Sequence, residues 1–201
     1  IKEETGTYPW TYQGKYPGYM VWGVLMPLVY KNGGLQTIID QDNLVEGSFS
    51  TDAVKQSLEQ IQELYNRDLI MPGTEGLTHT ESQAEWLQGN AVFIPSGSWL
   101  ENEMRELTPE DFNMVVAPVP GTDPSTSHSV LAWSGENFIV PANAENPIGG
   151  MEYLRALMSV ENAKYLAENV GAIMPVVGGT DKMSHGSAVG GCFGSPEQSP
   201  T

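Results

Sequence analysis

The sequence predicts an α/β fold. Three observations carry that prediction: apolar residues recur at helical spacing in several separate segments, short apolar runs bounded by Gly and Pro lie between them, and no internal repeat runs through the 201 residues. An apolar content of 40% is enough for one substantial core or two small ones.

Residues 5 to 30, TGTYPWTYQGKYPGYMVWGVLMPLVY, hold five Tyr and two Trp among Gly and Pro breakers, which predicts a short strand followed by a large aromatic loop. Asn32-Gly33-Gly34 supplies a turn, and the loose alternation from Leu35 to Phe49 predicts a small hairpin. From Ser50 to Asp68 the residues Val54, Leu58, Ile61 and Tyr65 form the stripe of an amphipathic helix that Pro72-Gly73 ends. A second helix starts at Thr80 with a capping box to Gln83, buries Ala84 and Leu87, and stops at Gly89. Ala91 to Ile94 then reads as a short buried strand.

Pro95-Ser96-Gly97 breaks that strand, and Ser98-x-x-Glu101 reads as another capping box, opening a helix to about Leu107. Asn113 to Ala117 predicts a strand, Pro118 to Ser127 a loop, and Val130 to Pro141 a strand interrupted at Trp133-Ser134-Gly135. A helix pair follows from Pro147. Met151, Leu154 and Met158 mark its first stripe, and Ser159 caps a second helix that buries Val160, Ala163 and Leu166 and ends at Gly171. After Met174-Pro175 the chain turns rich in Gly and Ser, a composition that predicts a mobile tail.

Composition excludes several functions. Nine Lys+Arg against 25 Asp+Glu give a net charge of −16, which disfavours nucleic-acid binding because phosphate neutralisation needs clustered cations. Cys192 is the only cysteine, so neither an intrachain disulfide nor a multi-cysteine zinc site can form. His79, His128 and His185 are read into separate loops, with no HExxH pattern and no serine elbow. Glu101, Glu103 and Glu106 fall on one predicted helix as a solvated face, unlike the paired carboxylates of a glycosidase, which come from separate elements. The glycine pairs match no phosphate-binding loop, and no cofactor is called for.

The informative constellation is AVFIPSGSW, in which a strand turning into a helix N-terminus presents backbone donors at the strand's carboxyl end. Trp99 adds a flat apolar face suited to a pyranose ring, and Ser96 and Ser98 add hydroxyls. Tyr12, Tyr19 and Trp22, with Trp133 beside Ser134-Gly135, form a second aromatic set. Packing is the competing account for both sets: Trp99 and the tyrosines as core, Ser98 as a cap.

The ordered series PGYMVWG, NGG, the helix from Ser50, QAEWLQGNAVFIPSGSW, VVAPVPG and SGENFIVPANAENPIGGMEYLRALMSVENAKYLAENVGAIMPVV resembles the extracellular solute-binding proteins of carbohydrate ABC importers, over about residues 5 to 181. That resemblance implies a periplasmic-binding-protein-like (type II) α/β fold whose two lobes close around a sugar. Residues 1–136 would make most of the second lobe, 137–176 a crossover strand and helix pair belonging to the first lobe, and 177–201 the flexible tail. It implies stacking by Trp99, a cleft wall from Tyr19 and Trp22, and a cleft-facing Ser134-Gly135-Glu136. TYQGKYPGYM with GSW is most similar to binders of N-acetylglucosamine or chitobiose. The implied partners are a sugar and the membrane permease subunits of an importer, and the implied location is extracytoplasmic, with the signal and the first lobe upstream of Ile1. A carbohydrate-active enzyme or its binding module fits the same aromatic surface, and a receptor's sensor domain is a third reading.

Overall fold

The computed structural model describes residues 1–122 and 138–179. Within them the chain forms two compact units: one from residues 1–97 with 107–112 and 118–122, the other from 98–106, 113–117 and 138–179.

The first unit begins with α1 (Lys2–Thr5), which Gly6 closes in the left-handed conformation at φ 75°. β1 (Tyr8–Trp10) follows and pairs in parallel with β2 (Ala91–Phe93), Tyr8 opposite Ala91 and Trp10 opposite Phe93. A parallel bridge joins Trp10 to Ile70, so β1 lies between two neighbours. Parallel strands need crossover connections, and helices supply them here.

The first crossover is helical from Gly18. α2 (Gly18–Met20) runs through a π-helical turn, Val21–Leu25, into α3 (Met26–Asp42). The expected aromatic loop therefore stops at Pro17, which stands at the N-cap, and Pro27 falls in the first turn of α3, where a missing N–H costs nothing. The hairpin read into Leu35–Phe49 does not form. Gly34, at φ 78°, kinks α3, and helical bonding resumes beyond it: the Thr37 hydroxyl donates to the Gly33 carbonyl and the Gln36 amide to the Asp40 carboxylate. Leu35 and Ile39, four residues apart, are exposed on a helical face, not alternating across a strand.

α4 (Asp52–Asn66) matches the expected helix, with the Thr51 hydroxyl accepting from the Val54 N–H. Its inward face is displaced from the expected stripe. Val54 and Ser57 are buried and Ile61 and Leu64 pack against the core, whereas Leu58 and Tyr65 are exposed. The core joins Tyr12, Met20, Val24, Leu28 and Ile70, with Trp10 and Val119 against it. α5 (His79–Leu87) is capped two residues earlier than expected, because Thr78 and Glu81 form the capping box and Thr80–Gln83 lies inside the helix. β2 is half exposed instead of a buried strand: Ala91 is buried, but Val92 and Phe93 are not.

In the second unit α6 (Leu100–Glu103) is a single turn with Trp99 at its N-cap position and no side-chain cap, so the expected helix to Leu107 is not present. Residues 113–117 are irregular, with Val115 exposed and no strand beside them among the described residues, which removes the strand expected there. The helix pair forms as expected, α7 (Pro147–Leu157) and α8 (Val160–Asn169), capped by Asn146 on the Gly149 N–H and by Ser159 on the Asn162 N–H. α8 buries Ala163 and Ala167 in place of Val160, which is exposed. α7 has no buried residue; Ile148 is 76% and Met151 57% exposed.

One close approach organises the first unit. A Cβ on Gly14 would lie 2.3 Å from the Glu75 Cα and 2.4 Å from the Thr74 carbonyl oxygen, both backbone atoms that cannot swing aside. Gly14→Ala should therefore lower stability by about 1–3 kcal/mol or more, the scale of overpacking, measured as a fall in melting temperature with helix content retained. The bare face of α7 leads to a second expectation. Its amides from 151 to 157 should exchange with solvent faster than those of α4 from 54 to 65, and equal protection in a monomeric sample would contradict it.

Candidate functional site

Because β1 and β2 run parallel, their carboxyl ends emerge on the same side of the sheet, where open α/β folds place ligands. Beyond β1 the chain continues through Thr11, Tyr12 and Gln13; beyond β2 it continues through Pro95 and Ser96. The two ends are tied together: the Thr11 N–H donates to the Phe93 carbonyl at 3.1 Å, and the Gln13 amide donates to the Pro95 carbonyl at 3.2 Å. Gln13 is 1% exposed, and its Oε1 has no hydrogen-bond partner among the described residues, as is also true of the Ser96 hydroxyl.

Tyr19 and Trp22 sit above these ends on the helical crossover. A π turn widens the helix by one residue, a feature common at functional sites, and this one holds Trp22 half exposed at 50%. Gly23 lies beside Pro95, where a Cβ would be in ordinary contact at 3.4 Å. The Tyr19 ring stacks on His79, with centroids 5.0 Å apart and planes inclined by 19°. His79 is the first residue of α5, not a loop residue as expected, and its ring nitrogens face the amides of Gln13 at 3.4 Å and Gln83 at 2.9 Å.

Tyr12 is a core residue. It is 7% exposed within the hydrophobic cluster, and its hydroxyl bonds that of Tyr65. Burial first, and then the Tyr65 hydroxyl, push its phenol well above the ordinary tyrosine value, so it stays protonated. Ser98 and Trp99 belong to the second unit. The Ser98 hydroxyl accepts from the Ile173 N–H at 3.3 Å, tying the residues before α6 to those after α8, and a left-handed Gly171 lies against the Ser98 carbonyl. With α6 only one turn long, the helix-terminus part of the expected docking site falls away, since a four-residue segment has little aligned dipole. Trp99 is 38% exposed. Trp133, Ser134, Gly135 and Glu136 lie outside the described residues.

The structure thus brings Tyr19, Trp22 and Ser96 together in the first unit and adds His79, Gln13 and Gln83, which sequence reasoning did not single out. A polar Gln directly after an aromatic strand, in TYQG, is the signal that was available for Gln13. The set offers ring faces, amides, hydroxyls and an imidazole, and no cluster of charge. Lys31 is turned away from such a role: its ammonium donates to the Val119 carbonyl, and burial lowers its pKa from the ordinary lysine value. Among the described residues no group of three or more His, Cys, Asp and Glu is placed to hold a metal ion, and no helix is long and apolar enough to cross a membrane.

No family model matches the chain. Its fold is similar to that of a solved chitin oligosaccharide binding protein, on which it superposes with a TM-score of 0.69 at 14% identity, over 94% of this chain and 49% of that one. The sequence relationship is more particular. Over 144 residues it is 35% identical to the diacetylchitobiose binding protein NgcE of Streptomyces coelicolor, a match covering 70% of this chain and 31% of that protein. The chain thus spans about half the length of the first and under a third of the second. The expected periplasmic-binding-protein-like α/β fold and the sequence resemblance are both borne out, and both relatives are named for binding, neither for catalysis.

The start of α5 carries the site's one titrating cap. The Thr78 backbone N–H and hydroxyl both donate to the Glu81 carboxylate, which lowers its pKa from the ordinary carboxylate value. A carboxyl depressed in the folded state stabilises above its unfolded pKa, and that contribution is lost as pH falls through the folded value. Wild type should therefore melt above Glu81→Gln at neutral pH, and the gap should close on acidification. A gap independent of pH would show that the charge does not matter.

Proposed function

We propose that the chain is part of the substrate-binding component of an ABC importer, taking up N-acetylglucosamine or a chito-oligosaccharide outside the membrane. The observation that carries this reading is the relationship to a diacetylchitobiose binding protein, together with half-exposed Trp22 and Trp99 and a neutral polar set beneath Tyr19. An uncharged sugar offers hydroxyl and acetamido groups to amides and hydroxyls, and apolar C–H faces to rings; a site without clustered charge suits it.

In this reading residues 1–136 supply most of one lobe and the helices of 137–176 pack on the other, and the cleft closes when sugar binds. Trp99 and Trp22 are the stacking faces and Tyr19 a cleft wall, with Ser134-Gly135-Glu136 and Trp133 at the start of the crossover. Ser96 supplies a hydroxyl, whereas Ser98 and Tyr12 serve the frame. No bond of the sugar is broken; a membrane permease receives it, and the protein works outside the cytoplasm without a cofactor.

Calorimetric titration of the full-length protein against a sugar panel tests the reading. Trp99→Ala should weaken binding by about 1–3 kcal/mol, the scale of an aromatic anchor, with the melting temperature little changed. A large melting shift with unaltered affinity would make Trp99 a packing residue, and sustained release of shortened product from chito-oligosaccharide would replace the binding protein with an enzyme.

A further inference from the structure

Two buried glutamines flank the imidazole of His79. The Pro95 carbonyl only accepts, so the Gln13 amide must turn its NH2 toward it, at 3.2 Å. The same NH2 group lies 3.4 Å from His79 Nδ1. The Gln83 amide nitrogen lies 2.9 Å from His79 Nε2, and Gln83 is 0% exposed. Two buried amides from different elements thus flank one imidazole and hold its orientation.

The far side of this held ring is covered by Tyr19, nearly parallel to it at 5.0 Å between centroids. Tyr19 stands in the short α2 just before the π turn. We propose that His79 is a positioning residue for the sugar site: a fixed imidazole platform that sets the plane of Tyr19 and, with it, the shape of the cleft wall. The assignment rests on the proposed sugar-binding function and adds to it a residue that touches no sugar itself. The ring of Tyr19 is thereby ordered before the ligand arrives, which removes part of the entropic cost of binding.

A double-mutant cycle read by calorimetry with diacetylchitobiose tests this in the full-length protein. His79→Ala should weaken binding about 3- to 10-fold, the range for loss of one aromatic pair. Tyr19→Ala should weaken it at least as much, and the double variant should be no weaker than Tyr19→Ala alone, because His79 acts only through that ring. His79→Phe keeps a platform and should restore affinity to within about 3-fold of wild type, which also separates positioning from general destabilisation. Additive losses in the cycle, unchanged affinity in His79→Ala, or a His79→Phe variant as weak as His79→Ala would each overturn the proposal. Wild-type protein that binds no sugar of this class would overturn the functional reading beneath it, an outcome distinguishable because it precedes any substitution.

Discussion

The first unit depends on one constraint: the segment from Tyr8 to Lys15 must lie between two other stretches of backbone with almost no room to spare. On one side Tyr8 and Thr11 donate to the Asn90 and Phe93 carbonyls; on the other Trp10 donates to Leu69 and accepts from Met71. Beyond the strand, Gly14 and Lys15 continue by donating to Thr74 and Leu77. Thr11 and Thr74, both fully buried, meet hydroxyl to hydroxyl at 3.0 Å. A buried backbone has to place each of its polar groups, and this double pairing does so while leaving no space for a side chain at position 14.

From that clamp follow the positions of the helices. The crossover from β1 to Ile70 carries α2, α3 and α4, and the crossover from Ile70 to β2 carries α5; each must bury a face against the short sheet. Tyr12, Met20, Val24 and Leu28 meet there with Ile61 and Leu64, so the strand end, the π turn and α4 share one cluster. At the carboxyl ends of the strands the apolar material gives out and buried amides take over: Gln13, Gln83 and the imidazole between them. Low dielectric makes an unpaired polar atom costly there, and the Gln13 Oε1 stands without a partner among the described residues.

The second unit is organised differently. Its fixed points are backbone contacts: the Ser98 hydroxyl on Ile173, left-handed Gly171 beside the Ser98 carbonyl, and Gly150 set tightly against Val140. Among the described residues α8 buries only two alanines and α7 nothing, and Ile148, Met151 and Tyr153 are exposed. Small residues on the covered side and large apolar ones on the open side reverse the usual distribution for a surface helix.

What the sequence determined by itself was local. Periodicity placed α4 and α7, and periodicity with the Ser159 cap placed α8, because a Ser before an apolar stripe satisfies orphan N–H groups wherever the rest of the chain goes. A resemblance carried by an ordered series of short phrases identified the fold, which the structural superposition bears out. Tertiary structure decided the rest. Leu35 to Phe49 had a strand-like alternation, yet α3 continues past Gly34 because Gly33 fits against Ala53 of α4, a contact 20 positions away that no local window contains. Ser98 carried a cap signature but gave its hydroxyl to Ile173. Thr78 displaced Thr80 as the cap of α5, since its neighbour at the third position is a carboxylate able to accept from both the backbone and the hydroxyl. His79, Gln13 and Gln83 lie up to 70 positions apart, and only the meeting of two parallel strand ends with the start of α5 makes them one group. Long-range pairing of that kind leaves no periodic trace in the chain, because each residue's role is set by a partner whose distance along the sequence is arbitrary.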